Sequence, residues 1–370
     1  MRLIVLLSLS IFTLTLRAES INVTFVVADT HKSYFYNLVN DVNQAASKSL
    51  GINLEIIHSD SDRFSHISAI RKIISRDKKP DYLIFRGFLG NIAKMFDMLE
   101  QHKIKFITLE QNFTGKDYKF LGKPQQNYKY WLGQINYDDK AGGELLLHAS
   151  IDAHFVLYPE KNMSITGIGG NTNDQAINRQ SSLDNFNVEK YNNKIRVNQV
   201  FLSNWRATQV EKLFGNIYKR YPHTTAYWCA GDQLALAVLK KHQETVNTPI
   251  LIGGFDWIPR MLRKIKTGEL TASVGGHFVM VADALVKIID YENGLNRFIL
   301  PPFTKQFELI TKENIDLYLH SIESSIWHEI DFNDFVYSKN DEHIELTVNN
   351  IINLHQKNHT NDVSSTNNQF

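Results

Sequence analysis

Two carboxylates follow apolar segments at places where a parallel sheet would expose its edge. Asp256 ends the segment 253–256 and Asp232 ends the segment 227–232, and a predicted helix follows each of them. Open α/β sheets bind ligands at the carboxyl edge of their strands. A carboxylate there can accept hydrogen bonds from the hydroxyl groups of a small ligand. Each could instead cap the following helix; the sequence favours ligand binding for Asp256 and capping for Asp232.

Arg86 and Glu110 end two further predicted strands, 81–85 and 104–109, and are therefore expected at the edge of a sheet. An arginine can donate two parallel hydrogen bonds, and bonds that involve a charged group are stronger than neutral ones. Both residues are candidates for binding a polar ligand. The alternative interpretation is an ion pair between them across the strand ends.

These residues lie in a regular alternation of predicted strands and helices. Such alternation requires a parallel sheet with right-handed crossovers and helices on both faces. The segment 111–129 interrupts the alternation and predicts a crossing between two lobes. The fold class is therefore α/β, with two doubly wound parallel-sheet lobes. The predicted strands are 21–28, 52–58, 81–85 and 104–109 in the first set and 130–136, 164–168, 195–201, 225–229 and 250–253 in the second.

The chain begins with a sequence typical of an export signal. Met1-Arg2 precedes an apolar run, 3–16, which is too short for a membrane span, and a cleavage site lies near Ala18. These features predict a signal peptide at 1–18 and a protein of the periplasm. Cys229 is the only cysteine, so an internal disulfide is excluded. The formal net charge is +1, and the sequence has no basic stripe. Both facts argue against nucleic acid as a partner.

Four motifs, in order, give the sequence a resemblance to a known family. They are Tyr34-Phe35 after the first strand, the strand 81–85, the helix start 230–237, and Gly254-Phe255-Asp256 followed by 265–274. Spread over about 21–320, they resemble the type 1 periplasmic binding proteins of the ribose/galactose class, which include LuxP-like receptors. The resemblance implies two lobes joined by a three-strand hinge that closes on a small ligand.

The resemblance also implies domain boundaries. Lobe 1 is expected to comprise 19–110 and 279–299, and lobe 2 to comprise 111–278 and 300–330, with the crossings near 111–136, 275–279 and 300–307. Residues 331–370 form a C-terminal extension beyond the usual end of the family. The segment 321–355 is expected either to cap lobe 2 or to form a partner surface. The polar composition of the tail, 356–370, predicts disorder.

Further candidate residues come from the family positions that they match. Tyr34 and Phe35 stand where the family places stacking aromatics, although Phe35 could be a core residue. Trp205 matches a loop aromatic, and Arg179 lies near a family arginine. His277 lies in the hinge, where relatives carry Gln or Arg and where a structural role is the alternative. The candidate ligand-binding residues are therefore Tyr34, Phe35, Arg86, Glu110, Arg179, Trp205, Asp232, Asp256 and His277.

Three positions depart from the family pattern. Ser182 and Gly276 stand where LuxP-like receptors carry two arginines, and Gly231 replaces the asparagine that usually precedes Asp232. These departures argue against the boronated autoinducer of those receptors and against plain ribose. The ligand is predicted only as a small, hydroxylated, sugar-like molecule.

The sequence does not resemble that of an enzyme. The glycines of 167–170 lack the spacing and the lysine of a phosphate-binding loop. His58, His66, His148 and His154 form no i,i+4 pair with a glutamate, so no zinc-hydrolase helix is predicted from them. We therefore expect a binding protein without catalytic residues, cofactor or metal.

Two roles are consistent with this interpretation. In the first, the protein is monomeric when free and presents its sugar-like ligand to an inner-membrane ABC permease. In the alternative, it is a LuxP-like sensing subunit of a membrane histidine kinase or cyclase, and transport plays no part. Transport subunits rarely need a C-terminal addition, so the extension favours sensing modestly.

Overall fold

The computed structural model describes residues 20–366, apart from 30–32, 61, 88–91, 111–112, 114–118, 247 and 299–303. The predicted signal peptide, 1–18, therefore lies outside the described residues, as do 367–370. The described chain forms two six-stranded sheets flanked by helices. The α/β fold with two doubly wound parallel-sheet lobes, predicted from the sequence, is confirmed.

In the first sheet, every pair of adjacent strands is parallel. Its central strands are buried almost continuously, as expected for a parallel sheet with both faces covered. Its strands are β1 (Asn22–Val27), β2 (Asn53–His58), β3 (Tyr82–Arg86), β4 (Lys105–Leu109), β5 (Trp131–Tyr137) and β11 (Thr304–Lys305). Their order across the sheet is β11-β5-β4-β3-β1-β2.

The second sheet repeats this arrangement with one antiparallel edge strand. Its strands are β6 (Met163–Gly169), β7 (Ile195–Leu202), β8 (Ala226–Cys229), β9 (Leu251–Phe255), β10 (Ala272–Gly275) and β12 (Glu308–Ile310). Their order is β12-β10-β9-β8-β6-β7, and only β12 runs antiparallel to its neighbour, β10. The two sheets therefore have matching strand orders although the chain shows no sequence repeat.

The first helix begins and ends at residues with the expected capping chemistry. Ser33 Oγ accepts a hydrogen bond from the backbone N–H of Tyr36 at the start of the first helix, and Gly51, with φ of 68°, ends it in the left-handed conformation. The described helices are Tyr34–Leu50, Arg63–Ile74, Ile92–Gln101, Asp139–Leu157, Asp174–Asp184, Ala207–Arg220, Asp232–Thr245, Pro259–Lys266, Met280–Glu292, Ile315–Glu323 and Val348–Thr366.

The structure corrects the expected start of the second lobe. β5 was expected to open the second set of strands, but it pairs with β4 in the first sheet. Trp131 explains the difference, because its fully buried ring packs against Phe96 at 4.8 Å and Phe113 at 5.5 Å between ring centroids. Burial of this aromatic cluster fixes β5 in the first lobe. The chain crosses to the second lobe only after Tyr137.

The described chain passes between the two sheets three times, which gives the expected three-strand hinge, and after the helix Ile315–Glu323 it returns once more to the first lobe. The first crossing follows β5 and leads into the helix Asp139–Leu157. The second follows β10 and leads into the helix Met280–Glu292, which packs against the first-lobe helix Tyr34–Leu50. The third lies between β11 and β12. The segment 304–310, assigned to lobe 2 from the sequence, is therefore divided between the two sheets.

The C-terminal extension, which in the structure begins at Ser325 rather than at residue 331, packs against the first lobe and not against the second, as one alternative expected. Asp41, on the helix Tyr34–Leu50, accepts hydrogen bonds from Ser325 Oγ, Trp327 Nε1 and His328 Nε2 at 2.8, 2.8 and 2.9 Å. Phe332 is fully buried next to these contacts. Apolar burial therefore attaches this segment to the first lobe.

The polar tail predicted to be disordered is mostly helical. The helix Val348–Thr366 includes all of its described residues. Ile351 and Ile352 are buried at the start of this helix, and their burial holds the helix against the rest of the protein.

Among the described residues, no helix has the length and apolar character that crossing a bilayer requires.

Candidate functional site

A cleft of about 860 Å³ lies between the lobes and contains most of the residues singled out from the sequence. The carboxyl ends of strands from both sheets open into it, which is the edge where α/β folds bind ligands. Seven of the nine candidate residues line the cleft: Phe35, Arg86, Glu110, Arg179, Trp205, Asp256 and His277.

Arg179 is held rigidly at the base of the cleft, on the helix Asp174–Asp184. Its Nε donates to Asp139 Oδ1 at 2.8 Å and its Nη1 to the Ala230 carbonyl at 3.0 Å. The guanidinium carbon lies 4.4 Å from the ring centroid of Phe255. Nη2 is buried and has no hydrogen-bond partner among the described residues. Arg179 therefore offers one pre-positioned donor for a ligand.

A glycine makes this position of Arg179 possible. A Cβ at Gly143, on the helix Asp139–Leu157, would lie 2.1 Å from the backbone oxygen of Arg179. The two helices can approach this closely only because residue 143 has no side chain. The same approach brings Asp139 within hydrogen-bond reach of the guanidinium.

Asp256 directs its carboxylate into the cleft from the end of β9. Its backbone N–H donates to the Val274 carbonyl at 2.9 Å, and its φ of 107° is strained for a residue with a side chain. Oδ1 lies 3.7 Å from Arg179 Nη1 and 3.5 Å from His277 Nε2. Burial raises the pKa of Asp256 to about 7, and the neighbouring Arg179 opposes that rise. The carboxyl group thus titrates close to neutral pH.

His277 forms the hinge-side wall of the cleft. Its ring stacks on Phe35 with centroids 4.5 Å apart and meets the edges of Tyr137 and Phe307. Burial, helped by the charge of Arg179, lowers the pKa of His277 well below its ordinary value. The imidazole is therefore neutral at pH 7. Nδ1 is buried and has no hydrogen-bond partner among the described residues.

The first lobe contributes a polar group built around Glu110. Tyr36 Oη donates to the two carboxylate oxygens of Glu110 at 3.1 and 3.3 Å. Arg86 Nε lies 3.7 Å from Glu110 Oε2, so the ion pair considered from the sequence is present. Both members also line the cleft. Arg86 and Glu110 can therefore pair with each other and still contact a ligand.

Trp205 supplies a flat apolar face in the second lobe. Its ring packs so closely over Gly170 that a Cβ there would lie 2.2 Å from the indole. A Cβ on Gly231 would lie 3.9 Å from the same ring and 3.4 Å from Asp256 Oδ2. The indole face and the carboxylate therefore flank one another. An aromatic face next to a carboxylate suits a ring that carries hydroxyl groups.

Two of the nine candidate residues lie outside the cleft lining. Tyr34 is the first residue of its helix and is 66% exposed, and the aromatic residues that face the cleft there are Phe35 and Tyr36. With 3.6 residues per turn, neighbouring side chains diverge by about 100° around the helix axis. The expectation that Tyr34 stacks on a ligand has no support in this geometry.

Asp232 has the capping role that the sequence favoured, but it caps a different helix. It is fully buried and accepts from the backbone N–H of Ile258 at 3.0 Å and from Ser273 Oγ at 2.8 Å. Ile258 is the N-cap of the helix Pro259–Lys266, so Asp232 satisfies a donor at the start of that helix. Asp256 is thereby left to face the cleft.

Several polar residues of the cleft were missed in the sequence analysis. Most of them follow the carboxyl ends of strands β1, β6, β7 and β8, so the rule applied to Asp256 would have found them if extended to every strand. Tyr36 is different, because it depends on which side of its helix faces inward. The additional polar residues are Asp29, Ser33, Tyr36, Asn171, Thr172, Asn173, Asp174, Gln175, Asn204, Arg206 and Gln233.

Known proteins share this architecture at low sequence identity. The family described as periplasmic binding protein domain matches residues 23–292. The ribose import binding protein of Salmonella typhimurium is 22% identical over 276 residues, or 72% of this chain and 84% of that protein. A periplasmic sugar-binding protein from Pseudomonas fluorescens is 21% identical with a TM-score of 0.75, covering 87% of this chain and 96% of that one.

A further solved structure is an ABC transporter periplasmic solute-binding protein from Actinobacillus succinogenes with bound D-allose. It is 17% identical with a TM-score of 0.66, covering 80% of this chain and 99% of that one. These relatives are binding proteins, and their fold matches the two lobes and the hinge described above. Since the family match extends over most of the chain, the protein belongs to the periplasmic binding protein family.

Proposed function

We propose that this protein captures a small, hydroxylated, sugar-like ligand in the cleft between its lobes. The observation that carries the proposal is the cluster of Arg179, Asp256 and His277 beside the indole of Trp205. The cluster offers an unpartnered Arg179 Nη2 donor and an unpartnered His277 Nδ1, within the described residues, next to a partly accessible carboxylate. Hydroxyl groups both donate and accept, so they can satisfy all three polar groups.

The charges of the cleft favour a neutral ligand. Its lining holds three arginines, Arg86, Arg179 and Arg206, and four carboxylates, Asp29, Glu110, Asp174 and Asp256, so the opposite charges nearly balance. A ligand with a full negative charge would approach the carboxylates, and a cation would approach the guanidinium groups. A polyhydroxylated ring meets neither penalty. Its apolar face can cover Trp205 while its hydroxyl groups reach the charged side chains.

Binding and closure are linked in this proposal. Phe35, Arg86 and Glu110 belong to the first lobe, whereas Arg179, Trp205 and Asp256 belong to the second. A ligand that contacts both groups binds the closed arrangement better than the open one and shifts the hinge towards closure. The chain crosses between the lobes at four places, the fourth after the helix Ile315–Glu323, and movement at these crossings would break neither sheet.

We further propose that the protein acts in the periplasm and delivers its ligand to an ABC importer. Two of the relatives are named for import or for an ABC transporter. The sequence favoured sensing modestly, because transport subunits rarely need a C-terminal addition and the added segment could form a partner surface. In the structure, Trp327, Phe332 and Phe335 of this extension are buried against the protein itself. That argument for sensing is thereby weakened, and import is the better-supported role.

A sugar-binding assay tests the proposed function. The mature chain, 19–370, is unfolded and refolded to remove any copurified ligand and then titrated calorimetrically with pentoses, hexoses and polyols. We expect one of them to bind, and Asp256→Ala to weaken that binding by about 1–3 kcal/mol because a charge-assisted hydrogen bond is lost. Asp152→Ala, an exposed position outside the cleft, should bind like the wild type.

Two results would contradict these assignments. Wild-type affinity in Asp256→Ala would exclude Asp256 as a ligand contact, and failure of every sugar and polyol to bind would contradict the ligand class. Cells that lack the gene should take up the identified sugar poorly, and unchanged uptake would favour the sensing role over import.

We also expect the affinity to rise with pH around neutrality. Asp256 has a pKa of about 7 in the free protein, and its ionised form is the better acceptor for hydroxyl groups. The ionised fraction therefore increases between pH 6 and pH 8, and the association constant should rise with it. Asp256→Asn should bind more weakly and show a flat profile over this range. A wild-type affinity independent of pH would contradict this role of the carboxylate.

A further inference from the structure

Two histidines and a glutamate converge near the C-terminus, away from the cleft. Glu329 ends the short 3-10 helix Ile326–Glu329, and His355 and His359 lie four residues apart on the helix Val348–Thr366. Nε2 of His355 is 3.0 Å and Nε2 of His359 is 3.4 Å from the same oxygen, Oε2 of Glu329. The two imidazole rings are 4.2 Å apart between centroids.

The spacing of these atoms suits a small tetrahedral metal ion. Zinc is bound by His nitrogen and carboxylate oxygen at about 2.0–2.2 Å, so neighbouring ligand atoms of a tetrahedral site lie roughly 3.3 Å apart. The two measured nitrogen–oxygen distances, 3.0 and 3.4 Å, are close to that value. One donor atom from each of the three residues lies within 4.8 Å of the others. A small movement of side chains would complete the geometry.

We propose that Glu329, His355 and His359 form a binding site for Zn²⁺. Residues four apart on a helix lie on one face, so both imidazoles can bind one ion. Imidazole nitrogens select zinc and the other late first-row metals, whereas Mg²⁺ and Ca²⁺ prefer sites made of oxygen atoms. Three protein ligands leave the fourth position of the ion to water. His359 is 60% exposed on its side chain, so an ion can reach the site from solvent.

The location gives the proposed ion a structural role. Glu329 follows Trp327 and His328, which donate hydrogen bonds to Asp41 on a first-lobe helix. An ion bound by Glu329 and the two histidines therefore clamps the C-terminal helix to a segment that is fixed on the first lobe. Metal that binds only the folded arrangement stabilises it by mass action. None of the three residues lines the ligand cleft.

A zinc titration of the mature chain, made without a histidine tag and stripped with a chelator, tests the site. We expect one equivalent of Zn²⁺ to bind and to raise the thermal midpoint, with no such effect from Mg²⁺ or Ca²⁺. His355→Ala and His359→Ala should each weaken zinc binding at least tenfold, and Glu329→Gln should weaken it as well. His223→Ala, an exposed histidine elsewhere, should match the wild type.

Two outcomes would overturn the proposal. One is a wild-type protein that binds no zinc at micromolar concentrations. The other is zinc binding that is unchanged in His359→Ala, which would place the ion on other histidines. Since His359 is exposed, its replacement should leave the fold intact, and a wild-type circular dichroism spectrum of the variant verifies this.

Discussion

Replacement of Arg179 by Met is expected to abolish measurable ligand binding and to lower the free energy of unfolding by about 3–5 kcal/mol. The side chain is 1% exposed, and its loss leaves Asp139 buried without its partner and the Ala230 carbonyl without its donor. The cleft also loses the Nη2 donor. Urea unfolding and calorimetric titration of the same variant measure both effects.

The pH dependence of the lost stability identifies its cause. Burial already raises the pKa of Asp139 to about 6, although Arg179 holds it down. Without the arginine the pKa rises further, and a protonated carboxyl group is less costly to bury than a charged one. The destabilisation should therefore be smaller at pH 5 than at pH 8.

Two further variants separate stability from binding in this prediction. Asp139→Leu combined with Arg179→Met removes the unpaired charge and should recover much of the stability without restoring binding. Arg71→Met, at an exposed helical position, should change neither property. A stable Arg179→Met protein with wild-type affinity would contradict both roles of the arginine.

Replacement of Trp327 by Ala is expected to destabilise the protein by about 3–5 kcal/mol without changing ligand affinity. Trp327 is 2% exposed, packs against Phe278 with centroids 5.8 Å apart and donates to Asp41 at 2.8 Å. Its loss opens a cavity under the C-terminal extension and removes one of the hydrogen bonds to Asp41. Thermal and urea unfolding measure the change.

A series at this position distinguishes packing from hydrogen bonding. Trp327→Phe keeps most of the apolar contact and loses the donor, so its cost should be nearer 1 kcal/mol. Phe120→Ala removes an aromatic ring that is 73% exposed and should have little effect. Unfolding of Trp327→Ala at the wild-type midpoint would show that the extension does not contribute to the stability of the first lobe.

Much of the fold could be predicted because local patterns decide it. The predicted strands 104–109 and 225–229 differ by one residue from the observed β4 and β8, since short runs of apolar residues mark them in the sequence. The sheet to which β5 belongs could not be predicted. That depends on the burial of Trp131 against Phe96 and Phe113, a tertiary contact with no local signature.

The candidate site, too, could be predicted only where local sequence patterns decide it. The position of Asp256 follows from a rule about strand ends, which needs only the order of elements. The position of Tyr34 outside the cleft depends on the direction of its side chain, which the order of elements does not give. The helix that Asp232 caps depends on a partner 26 residues away. The spacing of His355 and His359 is visible in the sequence, but Glu329 lies 26 residues before His355 and comes next to the pair only through folding.

The attachment of the extension has a consequence for the order in which the protein folds. Asp41 binds Trp327 across 286 residues, and Ser49 binds Asp331 across 282. Contacts at such separation close late, because the chain between them must be ordered at an entropic cost. Strands β6 to β10 of the second lobe, by contrast, are contiguous. The first lobe can therefore be completed only after the chain has been synthesised beyond Asp331.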